Sequence, residues 1–315
     1  MTPLVTPPVS PPEDASPAAP STVAPSTGPW EPLLDPPRAA VVDAVTRAIA
    51  EDVLPLGDLT AGLIAADRRA AVDVVSRAHG VMAGRACAVE AFAQIDAAVT
   101  VTWLVPDGST VAPGTVVAAV EGPLRSILTA ERTALNFLGH LSGVATLTRA
   151  YVEVVRAANP ATRVLDTRKT TPGLRALEKA AVRAGGGHNH RGNLSEAVLV
   201  KDNHLDGTTI AEAVHRAGAM WPGRMVEVEC DRLDQVDQAI AAGATVLMLD
   251  NMGPDLVAEA VARVRAAGST ALVEVSGGVT LESAPALAAA GADLLSAGAL
   301  THSAPVLDLG LDLRA

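Results

Sequence analysis

From Arg163 onward the sequence alternates between two patterns, and this alternation limits the fold more than any other feature. Short apolar runs occur at 163–165, 197–200, 225–230, 245–249, 271–275 and 293–296. Alanine-rich stretches of helical periodicity lie between them, as at 234–242, 254–267 and 281–290, and these end at Gly243, Gly268 and Gly291. A glycine just past a periodic stretch is a helix stop, because it takes the left-handed conformation without a Cβ penalty. Repeated strand–helix units of this length predict buried parallel strands with helices outside them, in a β/α barrel or a doubly wound sheet. Six strands are fewer than the eight of a closed barrel. A seventh could lie near 147–155.

The chain ahead of the repeat reads differently. Residues 1–36 are Pro, Ser, Thr and Ala with almost no charge. Such a segment buries too little apolar surface to offset its ordering entropy, so a disordered tail is expected. Val41, Val42, Val45 and Ile49 recur at helical spacing. Strands are expected at 72–76, 99–105 and 115–120, separated by the turn signals Pro106-Asp107-Gly108 and Pro113-Gly114. A long helix is expected over 126–151, where Gly139 and Gly143 imply a close contact or a break. The domains expected are thus a small α/β unit over 37–142 and the β/α unit over 143–301.

Charge marks one stretch. The chain carries a formal net charge of -11, yet 163–204 holds eight of its 24 Lys and Arg and three of its seven His against four acids. A basic island in an acidic protein suits a pocket for a small polyanion. The overall charge, with only 2% aromatics, argues against nucleic acid or an anionic membrane as partner. Two cysteines, Cys87 and Cys230, build no disulfide framework. No apolar run approaches the roughly 18 residues of a membrane span, and the N-terminus lacks a signal-peptide pattern, so a cytoplasmic protein is expected.

In parallel β/α folds the C-terminal strand ends gather on one face, and that face carries the site. Here the residues past successive runs are Asp166 to Lys169, Lys201-Asp202-Asn203, Glu229 and Asp231, Asp250-Asn251, Ser276-Gly277-Gly278, and Ala297-Gly298. Solvation alone explains polar strand ends but not this sorting into cations, then carboxylates, then small turns. Ser276 to Gly278 and Gly298 can bring backbone N–H groups up to a phosphate. Glu229 and Asp250 suit Mg²⁺ bridged to a polyphosphate. Arg168, Lys169, His190, Arg191 and Lys201 can grip carboxylates or pyrophosphate. His188-x-His190 lacks a third metal ligand nearby, and Gly185-Gly186-Gly187 lacks the strand that a dinucleotide-binding turn follows. Arg175, Lys179 and Arg183 lie at helical spacing and read as a solvated face. His79, His215 and His302 read as structural, and Arg132 as a helix surface charge.

The motifs together resemble a known family. They are Glu51-Asp52, Gly57-Asp58-Leu59-Thr60, the run from Glu131-Arg132 to Asn136, the run from Asp166 to Pro172, His190-Arg191, the run from Lys201 to His204, Glu227-Val228-Glu229 and Ser276-Gly277-Gly278. In this order they resemble quinolinate phosphoribosyltransferase over about 38–313. The resemblance implies an N-terminal α/β sandwich, an incomplete α/β barrel, and C-terminal residues, 302–315, that return to the first domain. It implies a homodimer or higher oligomer with shared sites, in which Arg132 reaches the neighbouring subunit's substrate. It makes Lys169, Lys201, Glu229 and Asp250 the catalytic set. Quinolinate and phosphates fall to Thr167, Arg168, Lys169, His190, Arg191 and Lys201. The ribose and Mg²⁺ region falls to Glu229 and Asp250, and the 5′-phosphate to Ser276, Gly277, Gly278 and Gly298.

The reaction implied joins quinolinate to 5-phosphoribosyl 1-pyrophosphate with loss of CO2, and uses no organic cofactor. The residue types suit it. The pyridine nitrogen is itself the nucleophile, so no Ser or Cys nucleophile is required, and carboxylates stabilise the positive charge that develops on the ribose. Three other readings stay open on residues alone: a related transferase using a monocarboxylate base, a phosphosugar aldolase or isomerase with Lys201 as its reactive amine, and a non-catalytic sensor.

Overall fold

The computed structural model describes residues 35–314. Of the tail expected over 1–36, all but Asp35 and Pro36 lies outside the described residues.

The N-terminal part contains α1 (Arg38–Val53), β1 (Arg69–Ser76), β2 (Gly80–Val81), α2 (Arg85–Ile95), β3 (Thr100–Trp103), β4 (Thr110–Val111) and β5 (Val116–Pro123). The chain then enters α3, a 35-residue helix from Leu124 to Ala158. The three expected strands form, with β5 at the centre of an antiparallel sheet between β1 and β3. A fourth strand comes from the other end of the chain. β12 (Leu309–Leu313) pairs antiparallel with β1, from Val72 opposite Leu313 to Ser76 opposite Leu309.

The helix α3 is longer than expected and unbroken, and it takes up 147–155, where a seventh strand was allowed for. Its glycines mark a close contact. A Cβ on Gly143 would lie 2.1 Å from the Pro305 carbonyl oxygen, and one on Gly139 3.0 Å from that of Leu307. The returning segment runs against this bare backbone, and Leu307 N–H donates to the Gly139 carbonyl at 2.9 Å. The first turns of α3 pack on α2 and the sheet, and its later turns on the second half of the chain. Ile127, Leu138 and Leu141 are all but fully buried along it. Burying such a side chain contributes about 1.5–3 kcal/mol relative to exposure.

The second part alternates as the sequence predicts. It runs β6 (Arg163–Leu165), α4 (Arg175–Ala184), β7 (Val198–Val200), α5 (Ile210–Met220), β8 (Val226–Cys230), α6 (Leu233–Ala242), β9 (Val246–Asp250), α7 (Pro254–Ala266), β10 (Leu272–Ser276), α8 (Ala284–Ala289), β11 (Leu294–Ser296) and α9 (Ala299–His302). The six strands form one parallel sheet in the order β6-β11-β10-β9-β8-β7, an incomplete β/α barrel. Gly243, Gly268 and Gly291 follow their helices with φ of +79°, +64° and +98°, the conformation that suits glycine.

Strand alternation sorts the two faces of this sheet. Val228, Cys230, Leu247, Leu249, Val273, Val275 and Leu295 are buried apolar residues. The residues that alternate with them include Glu227, Glu229, Asp250, Glu274, Ser276 and Ser296. The period of two thus gives the barrel an apolar outside and a polar inside. The free edge of β6 is taken by the segment after α4, where His188 N–H donates to the Val164 carbonyl at 2.8 Å. The glycines before it are a packing device. A Cβ on Gly185 would lie 2.6 Å from Thr148 Cβ, and one on Gly187 2.7 Å from Thr148 Cγ2, both on α3. Among the described residues no helix is long and apolar enough to cross a membrane.

Candidate active site

The loop after β6 is built on buried charge. Asp166 is fully buried, and its carboxylate accepts from three neighbours. Its donors are Lys179 Nζ, Asn189 Nδ2 at 2.6 Å and the His190 N–H at 2.9 Å, with Lys179 also the ion-pair partner. Burial pushes Asp166 up and Lys179 down, and their mutual attraction opposes both shifts. Lys179 Nζ also donates to the His190 carbonyl at 2.8 Å. The expectation of a solvated face at Arg175, Lys179 and Arg183 is therefore corrected. Lys179 is 7% exposed, and Arg183 Nη1 donates to Asn189 Oδ1 at 2.6 Å. These side chains of α4 face the polar segments around the β6 strand end rather than water.

Further along the same helix, Glu178 is fully buried. It accepts from the Thr171 N–H at 3.1 Å and meets His140 Nε2 of α3 at 2.8 Å. The loop it holds presents Thr167, Arg168 and Lys169. Thr167 Oγ1 accepts from the Lys169 N–H at 3.0 Å. Arg168 Nε is buried and has no protein partner among the described residues. Arg191 lies close enough to Arg168 to feel it, since burial and then the Arg168 guanidinium push Arg191 down. Two guanidiniums held near each other, one with an unanswered buried N–H, form a receptor for an anion.

Beneath them is a layer absent from the sequence reading. His190 Nε2 lies 3.1 Å from Glu227 Oε2 and 3.5 Å from Glu274 Oε2. Glu274 accepts from Ser296 Oγ at 2.6 Å. Burial alone would lower His190, but hydrogen bonds and attraction from the two carboxylates raise it to about 10. Burial pushes Glu227 up. On the other side of the ring, the Arg191 N–H points at Nδ1 from 2.9 Å, which favours an unprotonated Nδ1. In either ionisation state Nε2 carries the proton that faces the carboxylates. Both ring nitrogens face protein partners, so the ring ties the Arg191 main chain to the Glu227 carboxylate.

Lys201 closes β7 and pairs with Glu229 at the end of β8. Asp250 closes β9, and its Oδ2 accepts from Asn251 Nδ2 at 2.9 Å. The next two strand ends use backbone instead of side chains. Gly277 and Gly278 have φ of +85° and +60°, and a Cβ on Gly277 would lie 2.4 Å from Asn251 Oδ1. Asn251 itself sits at φ +56°, and its N–H donates to the Ser276 carbonyl at 3.0 Å, so the two turns interlock. The N–H groups of Gly277, Gly278 and Gly298 have no acceptor among the described residues. Successive glycines of this kind form an anion-binding concavity. Gly298 brings the two halves together, because a Cβ there would lie 3.1 Å from Lys169 Cδ, and Thr301 Oγ1 donates to the Lys169 carbonyl at 2.7 Å.

The expected site residues of the barrel thus occupy the C-terminal ends of its six strands or the segment beside β6. Arg132 stands apart. It is exposed on α3, and no hydrogen bond or ion pair links it to the others. Sequence reasoning left out Arg175, Glu178, Lys179, Glu227 and Glu274 as working parts. Glu227 and Glu274 had a signal, since each lies two residues before a strand-end polar group and so on the same inward face. The α4 residues had none beyond helical spacing. A hollow of about 440 Å³ at the opposite ends of β9 and β10, lined by Gly243 to Thr245 and Ala267 to Ala271 with Ile240, holds no ionisable side chain.

Cationic side chains and glycine turns with free N–H groups, gathered at the strand ends of one β/α barrel, are the arrangement of a protein that handles small, multiply anionic metabolites. Comparison with known proteins narrows the class. Residues 57–142 match the quinolinate phosphoribosyl transferase N-terminal domain family, and residues 144–312 its C-terminal domain family. The chain is 40% identical over 280 residues to a Synechocystis protein named probable nicotinate-nucleotide pyrophosphorylase [carboxylating], covering 88% of this chain and 94% of the relative. It is 40% identical over 258 residues to the rat nicotinate-nucleotide pyrophosphorylase [carboxylating], covering 81% and 85%. The solved nicotinate-nucleotide pyrophosphorylase of Francisella tularensis superposes with a TM-score of 0.85 at 39% identity, covering 90% of this chain and 99% of that one. The chain belongs to the quinolinate phosphoribosyltransferase family.

Proposed function

We propose that this protein transfers the phosphoribosyl group of 5-phosphoribosyl 1-pyrophosphate to the ring nitrogen of quinolinate. The products are nicotinate mononucleotide, pyrophosphate and CO2, a step of NAD biosynthesis. The observation that carries this reading is the Arg168–Arg191 pair with its unanswered Arg168 Nε, at the end of the same parallel sheet as the Gly277, Gly278 and Gly298 N–H groups, which have no acceptor among the described residues. The arginines suit two ring carboxylates and the glycine N–H groups a sugar phosphate.

In this reading Arg168 and Arg191 take the carboxylates, with Thr167 and His190 shaping the cup. Lys169, beside Gly298, reaches from the carboxylate side to the phosphate side. The donated N–H groups of the Ser276–Gly278 turn and Gly298 bind the 5′-phosphate. As pyrophosphate departs from C1′, positive charge grows on the ribose. Glu229 and Asp250 oppose it from adjacent strands, while Lys201 keeps Glu229 in place. Holding the ring nitrogen against C1′ converts an encounter of two substrates into a step within one complex. Loss of the 2-carboxylate as CO2 leaves an electron pair at C2 beside a ring nitrogen that is now cationic, and a proton from solvent then adds at C2.

The donors also fit Mg²⁺, a hard cation that takes carboxylate oxygens and keeps substrate phosphates as ligands. Asp250 and Glu229 would hold it, and it would supply neutralising charge to the leaving pyrophosphate. A homodimer or higher oligomer with shared sites accounts for Arg132, an exposed cation without a partner among the described residues, and for nearby Leu128, which is 37% exposed on the same helix. We place the protein in the cytoplasm on the same reading.

The test is turnover of purified protein with quinolinate and phosphoribosyl pyrophosphate, following CO2 and nicotinate mononucleotide. Activity should vanish on chelation and return with Mg²⁺. A mixture of inactive Arg132→Ala and Lys169→Ala chains should regain turnover if sites are shared. Turnover with a monocarboxylate base but none with quinolinate would sink the assignment.

A further inference from the structure

The start of α4 carries a side chain that touches both arginine-bearing segments and is used up in doing so. Arg175 Nε donates to Thr170 Oγ1 at 3.1 Å, and its Nη2 to the Arg168 carbonyl at 3.3 Å. Its Nη1 donates to the Gly192 carbonyl at 3.1 Å. The first two acceptors lie in the loop after β6, and the third adjoins Arg191. Lys179 ties the roots of these same segments, at Asp166 and the His190 carbonyl. Arg175 ties their tips.

The chemistry of the three acceptors is informative. They are a hydroxyl and two carbonyls, so none of the bonds is an ion pair. The guanidinium adds positive charge where Arg168 already pushes Arg191 down, and it lowers Lys179 as well. A clamp of the same sign as the groups it holds works against the empty cup and with the filled one. What it supplies is shape, since a planar fork offers donors in three fixed directions that a lysine ammonium does not reproduce.

We infer that Arg175 is a positioning residue, whose guanidinium holds the Arg168 and Arg191 segments at the separation that one dicarboxylate bridges. The inference rests on the quinolinate reading above for its ligand. It does not make Arg175 a substrate contact, because all three of its nitrogens are already bonded to the loops.

The experiment compares the full-length protein with its Arg175→Ala and Arg175→Lys variants. Quinolinate binding is read by calorimetry, both substrates by steady-state kinetics, and the 168–171 and 190–193 amides by hydrogen exchange without substrate. Loss of one well-aligned hydrogen bond between charged groups weakens binding about 10- to 100-fold, so quinolinate Kd and KM should rise by about that factor in Arg175→Ala. The KM for phosphoribosyl pyrophosphate should stay near the wild-type value, and amide exchange in both segments should quicken. Arg175→Lys should remain impaired, and added guanidinium should restore quinolinate binding to Arg175→Ala. Unchanged quinolinate binding in both variants would overturn the inference. So would equal losses for both substrates, or full rescue by lysine, which would leave charge alone as the cause. Failure of the wild-type protein to bind quinolinate would instead count against the functional reading. The exchange data then decide the clamp by themselves, and unchanged protection would reject it.

Discussion

The two halves of the active-site rim are made by opposite means. The half after β6 and beside it is cationic, and buried side chains hold it: Asp166 with Lys179 and Asn189, Glu178 with Thr171 and His140, and Arg175 across the tips. The half after β10 and β11 is built from main chain, with Gly277 and Gly278 at positive φ, locked by Asn251, and Gly298 against Lys169. The difference follows from the ligands. A rigid aromatic dicarboxylate needs cations at fixed separation, and cations repel, so a network must restrain them. A phosphate accepts N–H groups from several directions, and a tight glycine turn supplies them with no charge to restrain.

The strongest blow to the cationic half is Lys179→Met, which leaves Asp166 buried without its cation. Breaking a buried pair on one side costs about 3–5 kcal/mol. Because Asn189 and the His190 N–H still donate to Asp166, the lower end of that range is expected in urea unfolding. Adding Asp166→Asn to Lys179→Met should cost less than the two single losses combined. A single loss below about 1 kcal/mol, typical of exposed pairs, would show that the network is not what holds this half.

The backbone half should break more cheaply and for a different substrate. Gly277→Ala forces a side chain into φ +85° and drives Cβ to within 2.4 Å of Asn251 Oδ1. The left-handed conformation costs about 1–2 kcal/mol, and relief of the clash moves the turn. The KM for phosphoribosyl pyrophosphate should rise while quinolinate binding holds, the reverse of the Arg175→Ala pattern. If both variants weaken the same substrate, the division of the rim is wrong.

The two halves were unequally legible in the sequence. Strand-end position and residue type were enough for Ser276 to Gly278, Gly298, Arg168 and Lys169, since parallel β/α topology fixes where such residues end up. The same logic located Lys201, Glu229 and Asp250. What period and composition could not give was the interior of the cationic half. Helical spacing reads Arg175, Lys179 and Arg183 as a polar face but does not say whether that face meets water or a neighbouring loop. Glu178 looked like one more helix acid, yet it is fully buried as the anchor of Thr171. Glu274 sat in an apolar strand with no visible partner, because its partners, His190 and Ser296, come from distant segments. Arg132 was assigned by resemblance, and its exposure on α3 is compatible with either role.

The mildest effect separates the halves by pH. His190 of the cationic half is raised from 6.5 to about 10, whereas the backbone turns of the other half contain no ionisable group of their own beyond Asp250 at its margin. A raised cationic group binds more protons folded than unfolded. Its stabilising contribution is therefore complete below about pH 6.5 and is lost as pH climbs from there to about 10. The loss is partial, because the neutral ring still presents Nε2–H to Glu227, and the Arg191 N–H at Nδ1 favours that neutral form. Exchanging a charge-assisted bond for a neutral one costs about 1 kcal/mol. Lys179, pushed down by burial, works in the opposite sense at the alkaline end. The urea midpoint of the wild-type protein should decline modestly across this window, and His190→Gln should flatten the decline. The Glu274→Gln variant, which removes one of the two carboxylates, should move the decline to lower pH. An identical pH profile in all three proteins would mean that His190 exchanges no proton on unfolding in this window, and the contrast between the halves would then rest on Arg168, Arg191 and their clamps alone.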